Sequence, residues 1–154
     1  MTPLEPRLYL DLVRRAIAED VGSGDITTDC LVPADARSTA RLIAKSACVV
    51  AGLDVARAVF IEVDPSVAFT ARVDDGHQCR PGDVIAELAG PARALLTAER
   101  TALNFLQHLS GIATLTRRFV DATGGRLTIL DTRKTIPTLR ALAKYAVRCG
   151  GGTN

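Results

Sequence analysis

An α/β fold is predicted for this 154-residue chain, on three observations. Apolar residues recur at helical spacing in separate segments. The residues between those segments alternate as strands do. The last stretch reads as strand, polar loop and helix, the repeating unit of α/β barrels and layered α/β folds.

The first helix is carried by Tyr9, Leu12, Val13, Ala16 and Ile17, and ends at Glu19-Asp20 before Gly22 and Gly24. Asp25-Ile26-Thr27-Thr28 is predicted to be irregular, because such side chains bond to nearby backbone. Residues 37–50 alternate and then run apolar, as strands do, until Gly52 breaks them. Asp54 is the expected cap of a second helix reaching about Val63, closed by Asp64-Pro65. Residues 67–90 are β again, with turn signals at Asp75-Gly76 and Pro81-Gly82-Asp83. Gly90-Pro91 is expected to open the longest helix, whose apolar face is Leu95, Ala98, Ala102, Phe105, Leu106, Leu109 and Ala113. Gly111 within it predicts a bend or a close approach, and Gly124-Gly125 ends it.

Leu127-Thr128-Ile129-Leu130 has the continuous apolar character of a strand buried on both faces. Pro137 suits the first turn of the following helix. There Leu139, Leu142, Ala143, Ala146 and Val147 form the buried face, before a triplet of glycines. A full barrel takes about 250 residues, so only its first portion is expected here.

Composition excludes several classes. Hydrophobic residues at 47% and charged residues at 23% are globular values. A net charge of +2 is too small to imply a nucleic-acid partner. No run approaches the length of a membrane span, and Met1-Thr2-Pro3-Leu4 does not open a signal peptide, so a cytoplasmic location is expected. Cys30, Cys48, Cys79 and Cys149 are widely spaced, which predicts reduced thiols and no metal site.

Asp131-Thr132-Arg133-Lys134-Thr135 is the segment with chemical potential. Two adjacent cations between hydroxyls stand at the C-terminal end of a predicted strand, where α/β folds bind ligands. A guanidinium grips a carboxylate or phosphate through paired bonds, and an ammonium adds a compact charge. The segment therefore fits a small, multiply anionic ligand; the competing reading is a solvated loop that counters Asp131. Arg100, mid-helix, reads by spacing alone as a surface ion-pair partner. Arg140, Lys144 and Arg148 form a basic stripe read as a solvated face. His77 is expected in an exposed turn and His108 as a hydrogen-bonded structural residue. The hairpin from Val73 to Ala86 is similar to that of biotinyl and lipoyl carriers. The three lysines, Lys45, Lys134 and Lys144, all lie away from it, so the likeness bears on topology alone.

Four blocks in order carry a family resemblance. They are Glu19-Asp20-Val21-Gly22-Ser23-Gly24-Asp25-Ile26-Thr27-Thr28; Leu96-Thr97-Ala98-Glu99-Arg100-Thr101-Ala102-Leu103-Asn104-Phe105-Leu106-Gln107, running on through Leu109-Ser110-Gly111; Asp131-Thr132-Arg133-Lys134-Thr135; and Lys144-Tyr145-Ala146-Val147-Arg148. Together they resemble the quinolinate phosphoribosyltransferases. The resemblance implies an N-terminal α/β sandwich domain with its long connecting helix over residues 1–110. It implies the start of a type II phosphoribosyltransferase α/β barrel, truncated, over 111–154. The implied reaction joins quinolinate and phosphoribosyl pyrophosphate, with Mg²⁺, to give nicotinate mononucleotide, pyrophosphate and CO₂ in NAD biosynthesis. Thr132, Arg133 and Lys134 are then expected to line the quinolinate pocket, with Lys134 catalytic. Arg100 is expected to reach the pocket of a neighbouring subunit in a homodimer or higher homo-oligomer. The Mg²⁺ ligands are expected beyond Asn154, and the 154 residues alone are expected to be inactive. One departure is Thr138, where the family carries glycine; an altered loop path or helix start is expected there. The alternatives are a molybdate-transport-associated paralogue of the same fold and a non-catalytic dimerisation fragment.

Overall fold

A computed structural model describes residues 2–22 and 24–154; Met1 and Ser23 of the segments discussed above lie outside them. After a single 3-10 turn at Pro6–Leu8 come α1 (Leu10–Val21), α2 (Ile26–Leu31), β1 (Arg37–Ile43), β2 (Cys48–Val49) and α3 (Leu53–Val63). They are followed by β3 (Ala68–Ala71), β4 (Gln78–Cys79), β5 (Val84–Pro91), α4 (Ala92–Thr123) and α5 (Arg140–Cys149). The class is α/β.

The main sheet is antiparallel with order β1-β5-β3. β5 is central, pairing Leu42 with Ala86 on one side and Ala71 with Ala86 on the other. Flanked by a strand on each side, it buries Ile85, Ala86 and Leu88. β2 and β4 form a separate two-stranded ladder that sets Cys48 opposite Cys79, and none of the four cysteines is joined in a disulfide. The hairpin that resembles carrier domains is thus a β element.

Helices α1, α3 and α4 bury one face each into a common core: Val13, then Val55 and Val59, then Ala98, Ala102, Leu109 and Ala113. Small residues on α4 let α3 approach closely, and a Cβ at Gly52 would lie 2.6 Å from Leu109 Cδ1. Gly52 itself holds φ 101°, which a glycine adopts without strain.

Several expectations are corrected. Asp25 to Thr28 is not irregular. Asp25 instead caps α2, its Oδ1 accepting from Thr28 N at 3.1 Å, because a carboxylate at that position satisfies an orphan helix N–H. Asp54 lies inside the first turn of α3; the acceptor for Leu53 N is Asp75 Oδ1 at 3.1 Å, a contact from a distant loop. Gly90-Pro91 finishes β5, since ladder pairing to Ser38 and Arg37 continues through both. α4 runs unbroken through Gly111, where an added Cβ meets nothing within 4 Å, so no close packing occurs there.

Leu127 to Leu130 is not a buried strand. Leu127 is 70% and Leu130 67% exposed, because pairing is limited to a parallel bridge between Leu130 and Thr153. In that bridge Asp131 N donates to Thr153 O at 3.0 Å and Thr153 N to Ile129 O at 2.8 Å. α5 lies between these two bridged segments, neither of which is a full strand. Pro137 stands in a turn ahead of α5, which begins at Arg140. Thr138 adopts φ 70°, the single non-glycine positive φ among the described residues. The loop therefore keeps a left-handed conformation that glycine takes freely and a β-branched residue adopts at a cost.

Candidate active site

The 131–135 loop is shaped by its own side chains and by the helix that follows. Thr132 Oγ1 accepts from Lys134 N at 3.1 Å, closing a local turn. Arg140 Nη2 donates to Arg133 O at 3.3 Å. Lys144 Nζ lies 2.9 Å from Asp131 Oδ2, and Asn154 Nδ2 donates to the same oxygen at 3.1 Å and to Lys144 O at 3.0 Å. Arg140 and Arg148 are exposed, as the solvated-face reading expects, while Arg140 and the partly exposed Lys144 also fasten the loop. Arg148 lies over the Tyr145 ring at 5.4 Å.

Between this loop, α4 and α5 lies a cavity of about 260 Å³ lined by Thr132, Lys134, Thr135, Ile136, Lys144 and His108, among others. Arg133 is exposed and not part of that lining. A second depression of about 580 Å³ runs along α4 and is lined by Glu19, Asp20, Arg100, Asn104, Phe105 and His108. His108 and Leu139 line both, so the two hollows adjoin. His108 stands eight residues beyond Arg100, about 12 Å along a helix. The structure thus brings Thr132 and Lys134 to one cavity, leaves Arg133 at its outside, and sets Arg100 in the neighbouring one.

Arg100 Nε donates to Asp20 Oδ1 at 2.5 Å, with the Arg100 side chain 70% and the Asp20 side chain 20% exposed. The hydrogen bond from Arg100 to Asp20, together with that charge, holds the guanidinium pKa above its usual value. Asp25, beside it, is held below the usual carboxylate range chiefly by its hydrogen bonds from Thr28.

His108, expected to be a bonded structural residue, is instead exposed and shared by both hollows. His77 is exposed in its turn, as expected. The sequence reading missed Asp20 as a partner for Arg100, since 80 residues separate them. It also missed Asp75, whose Oδ2 accepts from Tyr145 Oη at 2.6 Å. The one sequence signal for that pair was a tyrosine on the apolar face of α5, a ring whose hydroxyl needs a buried partner.

Among the described residues no group of three or more His, Cys, Asp or Glu side chains is placed to hold a metal ion. Asp131, the acid nearest the loop cations, is already engaged by Lys144 and Asn154. These residues do not fit a Mg²⁺ site. Among the described residues no helix is long and apolar enough to cross a membrane.

Comparison with known proteins places this geometry in a family. The model described as quinolinate phosphoribosyl transferase, N-terminal domain, matches residues 25–110, and the corresponding C-terminal domain model matches 112–154. The chain is 48% identical over 148 residues to the nicotinate-nucleotide pyrophosphorylase [carboxylating] of Mycobacterium leprae, covering 94% of this chain and 52% of that protein. It is 42% identical over 144 residues to a quinolinate phosphoribosyltransferase [decarboxylating] of Nicotiana tabacum, covering 93% of this chain and 41% of that protein. The crystal structure of NadC from Streptococcus pyogenes superposes with a TM-score of 0.97 at 45% identity, over 100% of this chain and 55% of that one. The chain therefore spans about half the length of the relatives it matches. With both domain models matched in order along it, this chain belongs to the quinolinate phosphoribosyl transferase family.

Proposed function

We propose that the protein to which this chain contributes transfers a phosphoribosyl group to quinolinate with loss of CO₂. The products are nicotinate mononucleotide and pyrophosphate, in NAD biosynthesis. The observation that carries the reading is that Thr132 and Lys134 line one cavity just beyond Leu130, the residue bridged in parallel to Thr153. α/β barrels work at the C-terminal ends of their strands.

Quinolinate bears two adjacent carboxylates, so its pocket needs more than one cation. Lys134 supplies a compact charge from the cavity's lining, and Arg133, exposed beside that loop, is proposed to add a planar fork. The ring nitrogen displaces pyrophosphate from the ribose carbon, and fixed positive charge stabilises the departing anion. When the 2-carboxylate then leaves as CO₂, its electron pair stays on the ring carbon next to the nitrogen until a proton from water takes it up. Lys134 is the group proposed to stabilise that carbanion, which makes it the catalytic residue. Arg100 is proposed to complete the pocket of a neighbouring subunit in a homodimer or higher homo-oligomer. Its open, 70% exposed side chain supports that role. Mg²⁺ is proposed to accompany the pyrophosphate and to take its protein ligands from outside these residues. A cytoplasmic location is proposed as well.

The test is quinolinate-dependent release of pyrophosphate by the full-length protein and its Lys134→Ala and Arg133→Ala variants. Lys134→Ala is expected to lower kcat by roughly a hundredfold or more, and Arg133→Ala to raise the quinolinate KM. Absence of quinolinate-dependent release from the parent overturns the reading in favour of a paralogue with another substrate. The 154-residue chain alone is expected to form no nicotinate mononucleotide.

A further inference from the structure

We propose that Asp20 is a positioning residue for Arg100, fixing the guanidinium so that its outer edge is presented to a carboxylate or phosphate. The inference rests on the reading above, in which Arg100 grips an anionic substrate group.

The contact is made through Nε alone, at 2.5 Å to Asp20 Oδ1. Among the described residues no other group accepts a hydrogen bond from this guanidinium. Asp20 Oδ2 is buried and takes no donor from it, so the pairing is single-pronged. A guanidinium held only at Nε keeps its Nη1–Nη2 edge free for a bidentate ligand. Burial differs sharply across the pair, 20% exposed for the acid and 70% for the base, so the fixed partner is the carboxylate and the presented one is the cation.

Local structure gives no other reason for an acid at residue 20. It lies in the last turn of α1, where the helix dipole disfavours a carboxylate. The second acid nearby does not compete. Asp25 is committed to Thr28 N, to Thr28 Oγ1, and at 3.5 Å to Thr97 Oγ1. Fixing a long, rotamer-rich side chain in advance removes part of the ordering cost of ligand binding. Against this, a neighbouring carboxylate cancels some of the positive charge offered to an anion. At a largely exposed site that cancellation is screened by solvent and salt, so the geometric effect prevails.

The experiment separates charge from geometry in the full-length protein, reading quinolinate KM and kcat with a urea midpoint for each variant. Arg100→Ala comes first: an unchanged KM sinks the role of Arg100 itself, whatever Asp20 does. With that role intact, Asp20→Ala is expected to raise KM about tenfold. Asp20→Asn keeps an oxygen for Nε and loses the charge, and is expected to recover most of the loss. Asp20→Glu keeps the charge but pushes the guanidinium outward by a methylene, and is expected to raise KM more than Asp20→Asn does. If Glu matches the parent while Asn does not, the carboxylate acts by charge and the proposal fails. A shift in urea midpoint with KM unmoved in every Asp20 variant likewise overturns it, leaving only a structural ion pair.

Discussion

Tyr145 Oη donates to Asp75 Oδ2 at 2.6 Å, while the other oxygen of Asp75 accepts from Leu53 N at 3.1 Å. One carboxylate thereby joins the start of α3 to the middle of α5. Tyr145 is the immediate neighbour of Lys144, which fastens Asp131 at the head of the candidate loop. Rotation of α5 is thus tied to the sandwich side of the molecule. Burial raises the pKa of both groups, and the thiol of Cys149, next to them, is pushed up to about 12 by burial first and Asp75 second.

Tyr145→Phe is expected to cost about 1–3 kcal/mol at neutral pH, because it leaves a buried carboxylate short of a donor. The pH dependence follows from the direction of the Asp75 shift. Its pKa is raised in the folded protein above the ordinary carboxylate value, so the folded state binds that proton more tightly than the unfolded chain. That favours folding at low pH and is lost as pH rises through the raised folded value. The tyrosine bond opposes the rise, so the phenylalanine variant should be penalised most at neutral pH, with the gap narrowing as pH falls toward 4. Urea unfolding at pH 7 and pH 4 reads this directly, and a pH-independent gap would contradict it.

Thr138→Gly is expected to stabilise the protein. Thr138 sits at φ 70° and is exposed, so its removal relieves backbone strain without leaving a cavity. Strain of this kind is about 1–3 kcal/mol, partly offset by the greater freedom of glycine in the unfolded chain. A net gain near 1 kcal/mol, or a rise in Tm of roughly 2–4 °C, should appear in a thermal melt. An unchanged or lowered Tm rules the strain out.

Gly150→Ala is expected to destabilise by about 1–3 kcal/mol. The residue has an ordinary φ of −75°, so conformation is not at issue. A Cβ there would lie 2.4 Å from Ala113 O and 2.6 Å from Thr116 Cβ, both on α4. Backbone cannot yield as a flexible side-chain tip can, so α5 must lift from α4. Because α5 anchors the candidate loop, the same variant should weaken quinolinate binding in the full-length protein, measurable by calorimetry beside a denaturation curve.

Helices α1, α3, α4 and α5 and the strands around the Asp75-Gly76 and Pro81-Gly82 turns were legible in the residues, because periodicity and turn chemistry are local. That Thr132-Arg133-Lys134 is a candidate anion-binding segment was legible for the same reason: side-chain type and a position after an apolar run are properties of neighbours in sequence. Local pattern misled where pairing decides. Leu127 to Leu130 reads as a buried strand, yet burial depends on flanking strands, and among the described residues only Thr153 pairs with it. Asp54 looked like the cap of α3 because it is adjacent, whereas Asp75 takes that role from 22 residues away. The Asp20–Arg100 and Asp75–Tyr145 contacts are separated by 80 and 70 residues, and no spacing pattern names either acid as the partner. A hydrogen bond is specific in distance and angle, and only the packed arrangement of α1, α4 and α5 brings those atoms within reach.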